Sequence, residues 1–152
     1  MSLLSHYPDR AELVAEMISF AQEELDHFAQ VMAIIADRGL VLRDDTKDPY
    51  VGALREQIRN GRDEFFLDRL IVAGIVEARG CERFGMVAKA LPEGALKQFY
   101  ERITKSEARH HGLFVRLAKT YFPDPVVDDR LDQLLVEEAT IVRVLPFRAA
   151  LH

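Results

Sequence analysis

The sequence predicts an all-α fold, a bundle of long antiparallel helices, and three observations carry that reading. Apolar residues recur at alternating spacings of three and four along four long stretches. Those stretches are bounded by helix-starting and helix-stopping residues. The chain contains no strand-like alternation, no tandem repeat and no low-complexity tract. Its 152 residues suit a single domain, 1–152, with enough length for a real core.

The stretches follow in order. Residues 1–8 are short, and Leu3 and Leu4 read as the tail of a helix or as a loose end. Asp9 looks like an N-cap with Glu12 three residues on, opening a long helix to about Arg38, and Gly39 is a natural C′ residue. After a polar connection over residues 40–47, Asp48 and Pro49 open a short helix to about Asn60. The Asn60-Gly61 pair is a break. A second long helix runs from about Arg62 to Ala90, and Leu91-Pro92-Glu93-Gly94 is a tight link. A third then reaches about Tyr121, where Phe122-Pro123-Asp124-Pro125 stops it. The last spans roughly Val126 to Leu145 and ends at Pro146. Gly74, Gly80 and Gly85 each cost about 1 kcal/mol in a helix interior, which close helix approach or a π-bulge would explain.

The seams of these helices are interrupted by chemistry. The third long helix reads Leu96, Tyr100, Ile103, Glu107, His110, Phe114, Leu117, Tyr121 along one face. A carboxylate and an imidazole three residues apart share that face and occupy two consecutive core positions. The first long helix repeats the arrangement as Leu13, Met17, Phe20, Glu24, His27, Val31, Ile34. The second reads Leu67, Leu70, Gly74, Glu77, Cys81, Phe84, Ala88, Leu91, and the last Val127, Leu131, Leu134, Glu138, Ile141, Leu145. Glu64 and Glu82 are out of phase and read as solvated. Several buried carboxylates repel one another unless cations or protons neutralise them. A bundle interior with Glu-x-x-His on two helices is a way to hold two metal ions, and carboxylate plus imidazole suits iron, manganese or zinc. Glu24, His27, Glu77, Glu107 and His110 are therefore the candidate ligands. The His-Glu-x-x-His signature of zinc hydrolases is absent. Cys81, one turn after Glu77, reads as core packing.

Composition narrows the setting. The chain is 49% hydrophobic and 30% charged, as soluble globular proteins are. No apolar run approaches the roughly 18 residues needed to span a bilayer, and Met1 to Tyr7 lacks the pattern of a secretory signal. A single cysteine excludes an intramolecular disulfide and suits a reducing cytoplasm. A formal charge of -5 argues against tight non-specific nucleic-acid binding and leaves room for a local basic patch.

Three segments carry a more specific likeness. Glu23-Glu24-Leu25-Asp26-His27-Phe28, Ile75-Val76-Glu77-Ala78-Arg79-Gly80-Cys81-Glu82-Arg83-Phe84 and Lys105-Ser106-Glu107-Ala108-Arg109-His110 resemble the tRNA hydroxylase family. The resemblance runs from about residue 9 to about residue 120, and loosely through the last helix. It implies a ferritin-like antiparallel helical bundle with two iron ions held by Glu24, His27, Glu77, Glu107 and His110. It also implies an O2-dependent monooxygenase that hydroxylates the isopentenyl group of 2-methylthio-N6-isopentenyladenosine in the tRNA anticodon loop. Two electrons per turnover would come from a reductase or a ferredoxin, and the target base would be turned out of the loop toward the pocket. The family pattern places a further helix, with another ligand glutamate, before residue 9. Here that first helix reads as truncated, because Met1–Tyr7 holds no carboxylate.

Glu138 is thus the candidate substitute for the missing carboxylate. Its other role is to hydrogen-bond a ligand or an arginine. The preferred reading is that no substitute exists and one metal ion binds well, the second weakly. Arg55, Arg59 and Arg62 share a face if the short helix continues that far, and would meet RNA phosphates there or pair with Glu56 and Asp63. Arg79, Arg83 and Arg109 lie close in sequence to the ligands. The competing functions are a ferritin-like iron-binding or peroxide-consuming protein without an RNA substrate, and a non-catalytic helical module. Metal content and tRNA product analysis separate the three.

Overall fold

The computed structural model describes residues 2–44 and 46–146, and every regular element among them is a helix. These are α1 (Ser2–His6), α2 (Ala11–Asp37), α3 (Pro49–Glu56), α4 (Arg62–Ala90), α5 (Ala95–Tyr121) and α6 (Asp124–Val144). The ends of the expected domain, Met1 and residues 147–152, lie outside the described residues. The chain divides into two compact units, Met1–Lys47 and Asp48–His152.

In the first unit, Leu3 and Leu4 belong to the five-residue helix α1. The N-cap of α2 is Arg10 rather than Asp9, and it makes no side-chain cap bond. The turn before it is closed instead by the Arg10 amide donating to the Tyr7 carbonyl at 3.3 Å. At the other end Gly39 takes φ +67°, the left-handed conformation expected at C′, and its amide donates to Ala36. Within this unit α2 has only α1 to pack against. Its face carrying Ile18, Leu25 and Phe28 is solvent-exposed.

The second unit is built on an α4–α5 hairpin joined by the four residues 91–94. The helices run antiparallel, as three levels of contact show. Phe66 meets Tyr121 and Phe122 at ring separations of 5.3 and 5.8 Å. Gly74 meets Phe114 at mid-length, and Phe84 meets Tyr100 at 6.0 Å near the link. Gly74 is the close-approach glycine: a Cβ there would stand 3.4 Å from Phe114 Cβ and 3.6 Å from His111 Nδ1. Its carbonyl accepts a hydrogen bond from His111 Nδ1 at 2.9 Å. Phe66, Leu70 and Ile71 of α4, Leu117 and Ala118 of α5 and Val127 and Leu134 of α6 are essentially solvent-free. Each large apolar side chain among them contributes about 1.5–3 kcal/mol on burial.

Helix α3 opens as expected, with the Asp48 carboxylate accepting from the Tyr50 amide at 2.7 Å and Pro49 in the first turn. It closes at Glu56, one turn short of Asn60. The residues beyond it are held by a buried carboxylate. Asp68 of α4 accepts from the Arg59 amide at 3.0 Å, from Arg59 Nε and Nη2 at 2.9 and 2.8 Å, and from Arg130 Nε and Nη2 of α6 at 2.9 and 2.8 Å. Arg130 also donates to the Gln57 carbonyl at 3.0 Å. One aspartate thus ties the α3–α4 connection and α6 to the side of α4.

Candidate metal centre

Glu77 comes from the middle of α4, and Glu107 and His110 come from the middle of α5. The antiparallel hairpin sets them at one level. Glu107 and His110 are buried, as their seam positions require, and the Glu77 side chain is 15% exposed. His110 Nδ1 lies 3.6 Å from Glu77 Oε2 and 3.6 Å from Glu107 Oε2. All three residues offer ligand atoms within 4.8 Å of one another. Both 3.6 Å separations exceed the 2.7–3.2 Å of an N–H···O hydrogen bond. They match the roughly 3–4 Å between neighbouring donors around an ion held at about 2.0–2.2 Å. Two carboxylates and an imidazole in a water-poor interior are the donor set that a hard or borderline divalent cation takes. The residues present fit a metal ion.

In the first unit, Glu24 and His27 pair across one turn of α2, with His27 Nδ1 3.3 Å from Glu24 Oε1. Their side chains are 41% and 15% exposed in the order Glu24, His27. The α2 seam is therefore only half-buried beyond Leu13, unlike that of α5. Within the two units the five expected residues form a pair on α2 and a trio on α4 and α5.

Glu138 is buried, as its seam position on α6 predicts, and both its oxygens are engaged. Arg79 donates from Nε to Oε1 and from Nη2 to Oε2, each at 2.8 Å, and Tyr50 Oη donates to Oε1 at 3.0 Å. This is the arginine-binding role left open by the sequence. Burial pushes the Tyr50 hydroxyl well above its ordinary value, and the neighbouring Glu138 charge adds to the rise. Burial opposes the Arg79 charge, but the hydrogen bonds and charge of Glu138, with the charge of Glu82, together outweigh it and raise its proton affinity. Arg79 also pairs with the exposed Glu82, and Arg83 lies 5.0 Å over the Tyr50 ring. Two of the arginines near the ligands in sequence thus meet α3, α6 and their own helix.

The face expected from Arg55, Arg59 and Arg62 does not form. α3 ends at Glu56, so the three do not share a helix, and Arg59 is committed to Asp68. Asp68 itself was missed by sequence reasoning. It stands beside the apolar seam, and nothing local marks it: its partners are nine and 62 positions away. Burial alone would raise its carboxyl, yet the hydrogen bonds from Arg59 and Arg130 hold it below the ordinary carboxylate value. Cys81 is partly exposed, and burial followed by the Glu107 charge pushes its thiol up. It stays a thiol at neutral pH, consistent with packing.

A helical fold carrying a carboxylate–histidine trio at one level of its central hairpin defines a ferritin-like protein with a candidate metal centre. The comparisons agree in fold. A solved Synechococcus structure, described as Protein 43 with aldehyde deformylating oxygenase activity, matches with a TM-score of 0.90 at 33% identity. It covers 97% of this chain, which in turn covers 73% of that one. The family model for tRNA-(MS[2]IO[6]A)-hydroxylase (MiaE) matches residues 1–152, and the chain belongs to that family. A tRNA 2-(methylsulfanyl)-N(6)-isopentenyladenosine(37) hydroxylase from Pseudomonas putida is 36% identical over 121 residues, covering 80% of this chain and 58% of the relative. The enzyme of the same description from Salmonella typhimurium is 33% identical over 108 residues, covering 71% and 40%. The chain spans about half the length of these relatives. No helix among the described residues is long and apolar enough to cross a membrane.

Proposed function

We propose that this chain is an O2-dependent tRNA hydroxylase acting on the isopentenyl group of 2-methylthio-N6-isopentenyladenosine. The observation that carries the reading is the convergence of Glu77, Glu107 and His110, in a chain of the tRNA hydroxylase family. We propose iron as the metal, with Glu77, Glu107 and His110 holding it. Glu24 and His27, the other copy of the Glu-x-x-His motif, supply the remaining donors of a two-iron site. When bound, the iron supplies activation of O2. The overall reaction puts one oxygen atom into a C–H bond and releases the other as water, consuming two protons and two electrons from a reductase or ferredoxin.

The side chains of this protein have three tasks in that reaction. Glu77 and Glu107 provide negative charge that offsets the cations, and the burial of Glu107 keeps water from competing for it. His110 presents a ring nitrogen from the same turn as Glu107, so one rigid helix fixes both donors. Behind them, Arg79 and Glu138 brace α4 against α6 two residues beyond Glu77, which steadies that carboxylate without touching the metal.

The test is direct. Purified protein is reconstituted with Fe(II), supplied with a reductant and O2, and incubated with tRNA carrying 2-methylthio-N6-isopentenyladenosine. Nucleoside analysis should show a gain of one oxygen atom in that nucleoside. Iron binding with peroxide consumption and unchanged tRNA would replace the proposal with the iron-binding, peroxide-consuming alternative.

A further inference from the structure

We infer that the outer face of α5 is the track that grips the RNA backbone; this rests on the proposed tRNA reading and names its docking surface. Helix α5 carries six Lys and Arg residues against two glutamates, one of which is the buried Glu107, in a chain whose formal charge is -5. The cations are also ordered. Arg102, Lys105, Arg109 and Arg116 are all exposed, and at about 100° per residue they fall within about 60° of arc. No carboxylate shares that arc. The stripe extends roughly 21 Å at 1.5 Å per residue, enough to follow several phosphates of one strand. Glu107 stands opposite the stripe and His110 on its flank, so the grip and the metal donors sit on one rigid element.

A second observation adjoins the stripe. Where the C-terminal half of α4 passes the N-terminal half of α5, a groove of about 600 Å³ opens. Gly85 and Thr104 line it, with Lys89, Lys97 and Lys105 around it and Glu101 as its one carboxylate. Lys97 is tied to Glu93, and Lys105 belongs to both the groove and the stripe. A narrow line of cations beside a groove with an apolar lining fits a polyanion that also carries flat apolar groups, which is RNA. Three of the four stripe residues are arginines, whose planar fork matches a phosphate in two hydrogen bonds. The chain's net negative charge would otherwise repel RNA, so binding needs such a concentrated face.

The experiment measures binding of an anticodon stem-loop RNA across a salt series for three proteins. These are the unaltered chain, the triple variant Arg102→Gln, Arg109→Gln, Arg116→Gln, and a charge-matched control, Arg38→Gln, Arg43→Gln, Lys47→Gln. Thermal melting checks that each is folded. The α5 variant should bind at least tenfold more weakly at about 0.1 M salt, and its log–log salt slope should flatten by about 2–3, near 0.7–0.9 per phosphate contact. The control should keep most of both. If the triple variant melts early, the three single variants are read instead, each expected to flatten the slope by about 0.7–0.9. An unaltered affinity and slope in the α5 variants overturns the surface and leaves the tRNA reading intact. Failure of the unaltered chain to bind the RNA overturns both. If the unaltered chain binds poly-glutamate more tightly than the RNA, and the α5 variant loses only the poly-glutamate, the face belongs to an acidic protein and the inference is wrong.

Discussion

Arg79 of α4 grips Glu138 of α6 in a two-pronged ion pair, Nε to Oε1 and Nη2 to Oε2, each at 2.8 Å, across 59 positions of sequence. The carboxylate is buried and the guanidinium mostly so. The pair explains why the seam of α6 tolerates a glutamate. Glu138→Gln keeps a polar partner but loses the charge-assisted fork, so stability should fall by about 1.5–3 kcal/mol in urea unfolding. The iron content of the folded variant should be unchanged. A halved iron content in a fully folded protein would mean that Glu138 is a ligand.

The metal donors make a sharper contrast. Glu107→Ala removes a buried donor, whereas Glu82→Ala removes an exposed carboxylate one turn beyond Glu77's neighbour Arg79. Anaerobic Fe(II) titration should show Glu107→Ala weakened by more than the roughly 10–100-fold typical of losing an outer partner. Glu82→Ala should bind as the unaltered chain does. Equal retention by both would remove Glu107 from the site.

Asp68 predicts a pH dependence with a definite sign. Its folded-state carboxyl lies below the ordinary value near 3.8, because the Arg59 and Arg130 hydrogen bonds overcome the burial penalty. The stabilisation is therefore complete above that ordinary value and is lost as pH falls through the lower folded-state value. Its slope cannot exceed about 1.4 kcal/mol per pH unit. Asp68→Asn should abolish this component of acid unfolding. At neutral pH it should cost about 3–5 kcal/mol, since Arg130 is left buried without its counter-charge, while the half-exposed Arg59 is partly repaid by water. An acid limb unchanged in the variant would assign the dependence to other carboxylates.

Gly74 separates a propensity effect from a packing effect. An alanine Cβ would stand 3.4 Å from Phe114 Cβ, an ordinary contact. Gly74→Ala should be neutral or stabilising by up to about 1 kcal/mol. Gly74→Leu forces further atoms into Phe114 and His111 and should cost about 1–3 kcal/mol. Melting temperatures that moved the same way for both would show that α4 and α5 adjust their spacing freely.

The two longest elements of the second unit were legible because their signals are local. Arg62 to Ala90 is the extent of α4 on both readings, and α5 ends at Tyr121 before the Phe122-Pro123 stop. Periodicity also put Glu107, His110 and Glu138 indoors, since a seam position reports burial directly. It reports no partner, so the arginine-binding role, one of the two left open for Glu138, emerged only with Arg79 and Tyr50 arriving from other helices. Asp68 stayed hidden for the same reason. The 41% exposure of the Glu24 side chain shows the converse limit. The α2 register has the same phase as that of α5, but phase gives the direction of a side chain and not the thickness of what covers it.

The short link over residues 91–94 has a consequence for the order in which the molecule assembles. Glu77 and His110 are separated by 33 positions and sit on adjacent helices whose ends are only four residues apart. Closing so small a loop carries little entropic cost, and hairpins dominated by such near-neighbour contacts form early and quickly. α6 must fold back from the end of α5 before Arg79 finds Glu138. The trio of donors is therefore expected to assemble with the first folding event of its unit. On a chain emerging residue by residue, that cluster should be in place before the helix that braces it has formed.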